Sequence, residues 1–266
     1  MEVSRLVAKE NKDLYNCMNV INFIDGSPHL KHKHLLNFYF KLSKEVFIAS
    51  KKSNPFVLDL GAGEGTTTSC FLNLNAKVTA VDISQNQLNS LKEKCSMYGD
   101  NLKVICEDVN DTLKRSAKYD IVSINSFLHH IPDYCKLLKQ VDSILDERGQ
   151  IFTWQDPLRY DTLSKFNSLF SKVAYFSWRI FKGDVINGLK RRIRRSKNIY
   201  TNDRFDNTEY HVTRNGVDQD AIKSLLEEMG YNVILIKYFS TQSILWQHIG
   251  TWLGLKNTFG IIAQKL

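Results

Sequence analysis

One stretch constrains the fold of this 266-residue chain more than any other. Val57 to Gly65 reads VLDLGAGEG, and Val78 to Ser84 reads VTAVDIS. An apolar run ends in a glycine turn, a helix-compatible stretch follows, and a second apolar run ends in Asp82. That is a strand, a glycine loop, a helix and a strand with an acidic tip, one βαβ unit of the nucleotide-binding kind. Gly61, Gly63 and Gly65 lack Cβ atoms, so the backbone can turn tightly and let a ligand come close. A carboxylate at the end of the second strand can accept both hydroxyls of a ribose. The dinucleotide spacing G-x-G-x-x-G needs its third glycine at position 66. This chain has Thr66 there, and its third glycine comes one residue early, at Gly65.

The alternation continues after this unit. Strands are expected near 56–60, 77–82, 102–106, 119–124 and 150–155, and helices near 65–74, 85–98 and 133–147. Strands alternating with helices imply a parallel sheet with right-handed crossovers. Before it, Leu35 to Ser50 carries apolar residues at helical spacing, behind the Ser27-Pro28 break. Residues 156 to about 212 interrupt the rhythm with an aromatic and basic stretch. It resumes with a capped amphipathic helix, Asp218 to Gly230, and two apolar runs, Tyr231 to Phe239 and Asn257 to Leu266.

Composition limits the alternatives. At 43% hydrophobic and 24% charged residues, the chain reads as a globular protein with one sizeable domain. It has no apolar run of transmembrane length, and its N-terminal MEVSRLVAKENKDLY has no apolar signal core. The five cysteines are scattered without a C-x-x-C pair, so neither a disulfide framework nor a structural zinc site is expected. A reduced, cytoplasmic location follows as the default. The net charge of +8 favours anionic partners.

The glycine loop, the acid Asp59 just before it and the acidic tip Asp82 together resemble the class I S-adenosylmethionine-dependent methyltransferases, over roughly residues 55 to 155. The resemblance implies a Rossmann-like α/β fold. Its seven-stranded sheet is mostly parallel, with the last strand antiparallel and helices on both faces. The implied division is an N-terminal helical cap (1–54), a cofactor-binding core (55–155), an inserted helical lid (156–212) and a C-terminal completion of the sheet (213–266). The implied cofactor is S-adenosylmethionine, with S-adenosylhomocysteine as product. Its expected site comprises Asp59 at the methionine end, Gly61, Ala62 and Gly63 in the loop, Asp82 on the ribose, and Ile83 on the adenine face. Asp108 and Val109 would meet the adenine amine, although Asp108 can equally cap a helix. Asn125 would stand at the rim beside the methyl donor.

Tyr119 to Asp133, YDIVSINSFLHHIPD, resembles the family's fourth motif. His129 is the expected base that takes a proton from an acceptor hydroxyl, with His130 as its alternate. The competing reading is that these histidines only cap the following helix and that proximity alone drives transfer. Tyr15 is a candidate latch to His129. His29 lies in a cluster with Asp25, Lys31 and His32, for which surface solvation is the rival reading. No spaced acids complete a metal set around these histidines, so no metal is expected.

The insertion holds Trp178 among phenylalanines, followed by the basic run Arg191, Arg192, Arg194 and Arg195. It is read as a lid over the acceptor, with a peripheral contact to an anionic membrane as the alternative. Tyr15, His29 and Trp178 are the candidate acceptor contacts. The expected activity is O-methylation of a small molecule such as a natural product, sugar or lipid precursor. A membrane lipid or quinone, or an RNA, are alternative acceptors. Nucleic acid is disfavoured because no RNA-binding module is present and the loop after the fourth strand reads Asn125-Ser126-Phe127-Leu128 rather than NPPY. The rival from another class is a non-catalytic S-adenosylmethionine-binding regulatory protein.

Overall fold

The computed structural model describes residues 2–17, 27–115, 117–181 and 215–266. The sheet has seven strands: β1 (Phe56–Leu60), β2 (Lys77–Asp82), β3 (Leu102–Cys106), β4 (Tyr119–Asn125), β5 (Leu145–Pro157), β6 (Tyr231–Tyr238) and β7 (Thr258–Lys265). Their spatial order is β3-β2-β1-β4-β5-β7-β6. The first five run parallel, and β7 is antiparallel to both β5 and β6. The expected architecture is therefore the observed one, with β7 inserted between β5 and β6.

Nearly every residue of β1 and β4 is buried, as expected of strands covered on both faces. On one face lies α2 (Lys33–Ala49), whose Leu35, Tyr39, Leu42 and Val46 form a buried helical stripe. It packs with Val57, Phe71, Phe152 and Trp154. The Tyr39 ring stacks on Phe152 with centroids 5.8 Å apart. The opposite face is closed by α5 (Tyr134–Ile144) and α7 (Gln219–Glu228). Leu138, Val141, Ile222 and Leu226 meet Val122, Ile124, Ile151 and Ile261 there.

The remaining long elements are α1 (Glu2–Cys17), α3 (Thr66–Asn73), α4 (Gln85–Lys94), α6 (Lys165–Phe181) and α8 (Ile244–Trp252). The expected helix at 85–98 ends earlier, at Lys94, and passes into a 3₁₀ stretch that turns at Gly99. The fifth strand starts at Leu145 rather than near 150. Sequence reading assigned no element to 244–252, where α8 lies.

β7 is held closely against β5. A Cβ on Gly260 would stand 2.4 Å from the Trp154 ring and 2.7 Å from the Thr153 carbonyl. Trp154 in turn stacks on Tyr238, with centroids 4.1 Å apart. Gly260→Ala is therefore expected to destabilise the protein by about 1–3 kcal/mol, the usual cost of overpacking. Chemical denaturation should show a lower midpoint at an unchanged m value.

Candidate active site

The carboxyl ends of β1, β2 and β4 open into one cleft of about 1250 Å³. This is where open α/β sheets bind ligands. The loop after β1 is tied down by its own backbone. The Gly61 and Ala62 amides donate to the Val81 carbonyl at 2.9 and 3.0 Å. Gly61 has φ +71°, and a Cβ there would lie 2.3 Å from the Phe127 ring, so only glycine serves. Gly63 differs: φ is +52°, but nothing lies within 4 Å of where its Cβ would stand. Its surface is open to a ligand.

Asp82 closes the floor. Its Oδ2 accepts from the Gly63 amide at 2.9 Å, and its Oδ1 accepts from the Ser84 amide at 2.8 Å. Each carboxylate oxygen retains capacity for a further donor. Burial pushes the Asp82 carboxyl up, and the backbone bonds oppose that rise. Ile83, Asp108, Val109 and Asn125 also line the cleft. Asp108 performs its alternative task as well. Its Oδ1 caps the short helix Val109–Thr112 by accepting from the Asn110 amide at 2.8 Å.

Asp59 is placed differently from the loop residues. It does not line the cleft but lies beneath it, 1% exposed. Its Oδ2 accepts from the Thr68 hydroxyl at 2.7 Å. Burial pushes its carboxyl up to about 7, with Asp82 adding to the rise. Above it runs a polar network that sequence reading missed. Tyr39 donates to Thr67 Oγ1 at 2.6 Å, and Asn125 Nδ2 donates to Ser123 Oγ at 2.6 Å and to the Tyr39 hydroxyl at 3.0 Å. Asn125 Oδ1 is buried and has no partner among the described residues. An open glycine surface, a ribose-ready carboxylate and an orphaned amide oxygen together fit an adenosyl-bearing cofactor with a polar tail.

The second half of the cleft carries the histidines. His129 Nδ1 lies 2.8 Å from Asp156 Oδ1, and the His129 amide donates to the same oxygen at 3.1 Å. Asp156 is 0% exposed, and its burial pushes the carboxyl up to about 8, against bonds from the His129 and Leu128 amides. Sequence reading missed Asp156. Its signal was an acid at the carboxyl end of the strand next to the histidine loop. Two non-glycine residues adopt positive φ beside this pair, Ser126 (+52°) and Gln155 (+65°). Such strain persists where the surroundings over-determine it. Gln155 is held by Ser240 at 2.8 Å and by the Tyr238 hydroxyl at 2.9 Å, at the register shift between β5 and β7.

Tyr15, the candidate latch to His129, contacts its neighbour His130. Its hydroxyl lies 3.2 Å from His130 Nε2, with the rings edge-on. The reason is where α1 lies. Asn16 at its end bonds the Ser84 hydroxyl at 2.8 Å, which sets Tyr15 over the second histidine. His29 and Trp178 both line the cleft, Trp178 from α6. Asp25 and the arginines 191, 192, 194 and 195 lie outside the described residues.

Residues 57–149 match the model of a methyltransferase domain family. Over those residues the chain is similar to methyltransferase domains. The ubiquinone biosynthesis O-methyltransferase of Coxiella burnetii is 27% identical over 96 residues, 36% of this chain and 41% of that protein. The chain thus spans about two fifths of the length of that relative. The demethylmenaquinone methyltransferase of Staphylococcus epidermidis is 25% identical over 174 residues, 65% of each chain. Among solved structures, magnesium protoporphyrin IX methyltransferase from Synechocystis PCC 6803 with bound SAH superposes with a TM-score of 0.60 at 12% identity. That likeness covers 98% of this chain and 100% of that one. The plantazolicin methyltransferase BpumL, also with SAH, gives 0.57 at 13% identity, over 100% and 98%. At these identities the structural likeness is one of fold.

The raised Asp59 carboxyl makes stability depend on pH. The folded state holds a proton that the unfolded chain releases near its ordinary value, so stability falls as pH rises from about 4 to about 7. The slope of one such group is at most about 1.4 kcal/mol per pH unit. Asp59→Asn should reduce the wild-type slope over that window, leaving the shares of Asp82 and Asp156, and the protein should be no less stable at pH 8. Denaturation series at several pH values measure it, and a wild-type slope retained in the variant would contradict the assignment.

Proposed function

We propose that the protein is an S-adenosylmethionine-dependent methyltransferase acting on a hydroxyl oxygen of a small molecule. The observation that carries this reading is the His129–Asp156 pair, which shares one cleft with the glycine loop and Asp82. When bound, the cofactor supplies a methyl group made electrophilic by its sulfonium. Gly61, Ala62 and Gly63 would cradle its adenosyl part, Asp82 would hold the ribose, and Asp108 and Val109 would meet the adenine. Buried Asp59 would act from below as a negative charge under the cationic tail, through the Thr68 and Asn125 layer.

His129 would take the acceptor proton. Asp156 accepts from its Nδ1–H, fixes that tautomer, and stabilises the imidazolium that forms. The acceptor half is strongly aromatic, lined by Tyr15, Phe127, Tyr160, Tyr175, Phe176 and Trp178. This suits an acceptor with a flat apolar part. The division into cap (1–54), core (55–155), lid region (156–212) and sheet completion (213–266) belongs to the same reading.

One observation favours a lipid-like acceptor. Phe166 and Leu169 on α6, and Ile244, Leu245 and Trp252 on α8, are exposed, and Trp252 is 84% exposed. The two helices are joined through Phe170 and Trp246, with centroids 5.1 Å apart. Exposed apolar residues this close together suit contact with a membrane surface or a lipid tail. The two relatives are named for ubiquinone and demethylmenaquinone, in keeping with such an acceptor. No helix among the described residues is long and apolar enough to cross a membrane. Flotation with anionic vesicles tests peripheral contact.

Asp82→Ala should weaken S-adenosylhomocysteine binding by about 1–3 kcal/mol, the usual loss of a charged hydrogen-bond partner. Calorimetric titration decides, and unchanged affinity sinks the cofactor assignment.

His129→Ala should lower turnover by roughly 10²–10⁴-fold with cofactor affinity nearly intact. In the wild type the raised Asp156 carboxyl keeps a proton on the pair until pH rises past about 8. The base-competent form then accumulates, so the rate should climb through that range. In Asp156→Asn the climb should move or vanish. A profile identical to wild type would remove Asp156 from the mechanism.

A further inference from the structure

Charge is distributed unevenly around the cleft. The acids that line it are Glu64, Asp82, Glu107, Asp108 and Asp133, and all of them lie in segments that end or follow β1 to β4. The cofactor half is thus acidic. Another wall comes from α6, which brings Lys172 and Arg179 to the cleft and has no acid along Lys165–Phe181. The segments that meet α6 there, 239–243 and 253–257, hold no acid either. Asn257 Nδ2 donates to Ser171 Oγ at 3.4 Å and to the Ser240 carbonyl at 3.0 Å, which ties both segments to the helix. Ser168, Ser171, Lys172, Ser240, Gln242 and Asn257 all line the cleft, a polar pocket beside the aromatic lining. Lys172 enters no ion pair among the described residues. Lys136, the remaining lysine of the cleft, stands one turn from the acid Asp133, whose Oδ1 accepts from the Lys136 amide. The polar pocket also adjoins the histidine pair. Ser240 Oγ accepts from Gln155 Nε2 at 2.8 Å, and Gln155 directly precedes Asp156, the partner of His129. An acceptor whose hydroxyl meets His129 can therefore turn its far end to Lys172. A wall of one sign of charge gathers ligands of the opposite sign.

We propose that this pocket is an anion subsite, in which Lys172 selects an acceptor that bears a carboxylate at the end remote from the hydroxyl that receives the methyl group. The inference rests on the methyltransferase reading and narrows its acceptor to a hydroxylated aromatic acid. Lys172 supplies the charge, and the hydroxyls of Ser168 and Ser171 supply further donors to the carboxylate oxygens. Such charge-assisted bonds are stronger than neutral ones. The aromatic lining holds the ring between the two ends. The cationic cofactor is drawn to the acidic half and the anionic acceptor to α6, so each ligand is repelled from the other's place. Discrimination then comes from repulsion as well as attraction.

Two probes with one skeleton test it: 6-hydroxy-2-naphthoate and its neutral amide, 6-hydroxy-2-naphthamide. They are titrated calorimetrically at pH 7 and low salt into the full chain saturated with S-adenosylhomocysteine. The naphthoate should bind about tenfold more tightly, the weight of one charge-assisted hydrogen bond. Added salt should shrink that ratio, because Lys172 is exposed and its attraction is screened over about 8–10 Å. Lys172→Gln should bring the ratio near one, and Lys172→Arg, which keeps the charge, should retain most of it. A merely structural lysine would weaken both probes together and leave their ratio alone. Equal binding of the two probes by wild type, or an unchanged ratio in Lys172→Gln, overturns the proposal. So does failure of both probes to bind a protein that binds S-adenosylhomocysteine, which leaves the cofactor reading standing. Failure to bind S-adenosylhomocysteine at all overturns the functional reading itself.

Discussion

β1 is hydrogen-bonded to a parallel neighbour on each side, β2 and β4. Parallel pairing is a stringent constraint, because it makes all the carboxyl ends finish at one edge of the sheet. The glycine loop, Asp82 and the histidine loop are thereby brought to a common rim although they are far apart in sequence. The loop is fixed further by two amide bonds to the Val81 carbonyl. From this edge the rest of the site follows: the open surface at Gly63, the Asp82 floor, and the polar layer of Tyr39, Thr67 and Asn125 over buried Asp59.

Three carboxyls, those of buried Asp59 and Asp156 and half-buried Asp82, are pushed up by loss of water. In the protein alone this costs stability at neutral pH. The same penalty makes each a strong partner for positive charge arriving nearby. Asp82 lines the cleft and Asp59 lies beneath it, and Asp156 bonds the ring and the amide of His129. Strain at Ser126 and Gln155 belongs to the same economy, for both hold the strand ends that carry the histidine pair. His29 shows the reverse case. Burial of its ring lowers its pKa, which favours the neutral form.

Much of this protein was legible in its residues. The spacing of VLDLGAGEG and VTAVDIS carries the first βαβ unit because glycine geometry and strand periodicity are local properties. The strands at 56–60, 77–82 and 102–106 and the stripe of α2 stand where periodicity puts them, since burial on both faces leaves a plain apolar signal. Asp82, Ile83, Val109 and Asn125 could be placed on the cleft because each ends or follows a strand whose direction is set by the alternation.

What only the tertiary structure decided concerns pairs. Asp156 lies 27 residues from His129 and meets it because β4 and β5 are parallel neighbours. Tyr15 reaches His130 from the end of α1, which is moored to Ser84. Asp59 sits below the cleft rather than in it, since alternation along β1 and the packing of α3 turn it toward Thr68. α8 escaped notice because its residues pack by contact with Phe239 and α6, not by a pattern of their own. Periodicity reports which face of an element is buried. It carries no information about which distant side chain is waiting there, because that depends on how the separately specified elements are stacked.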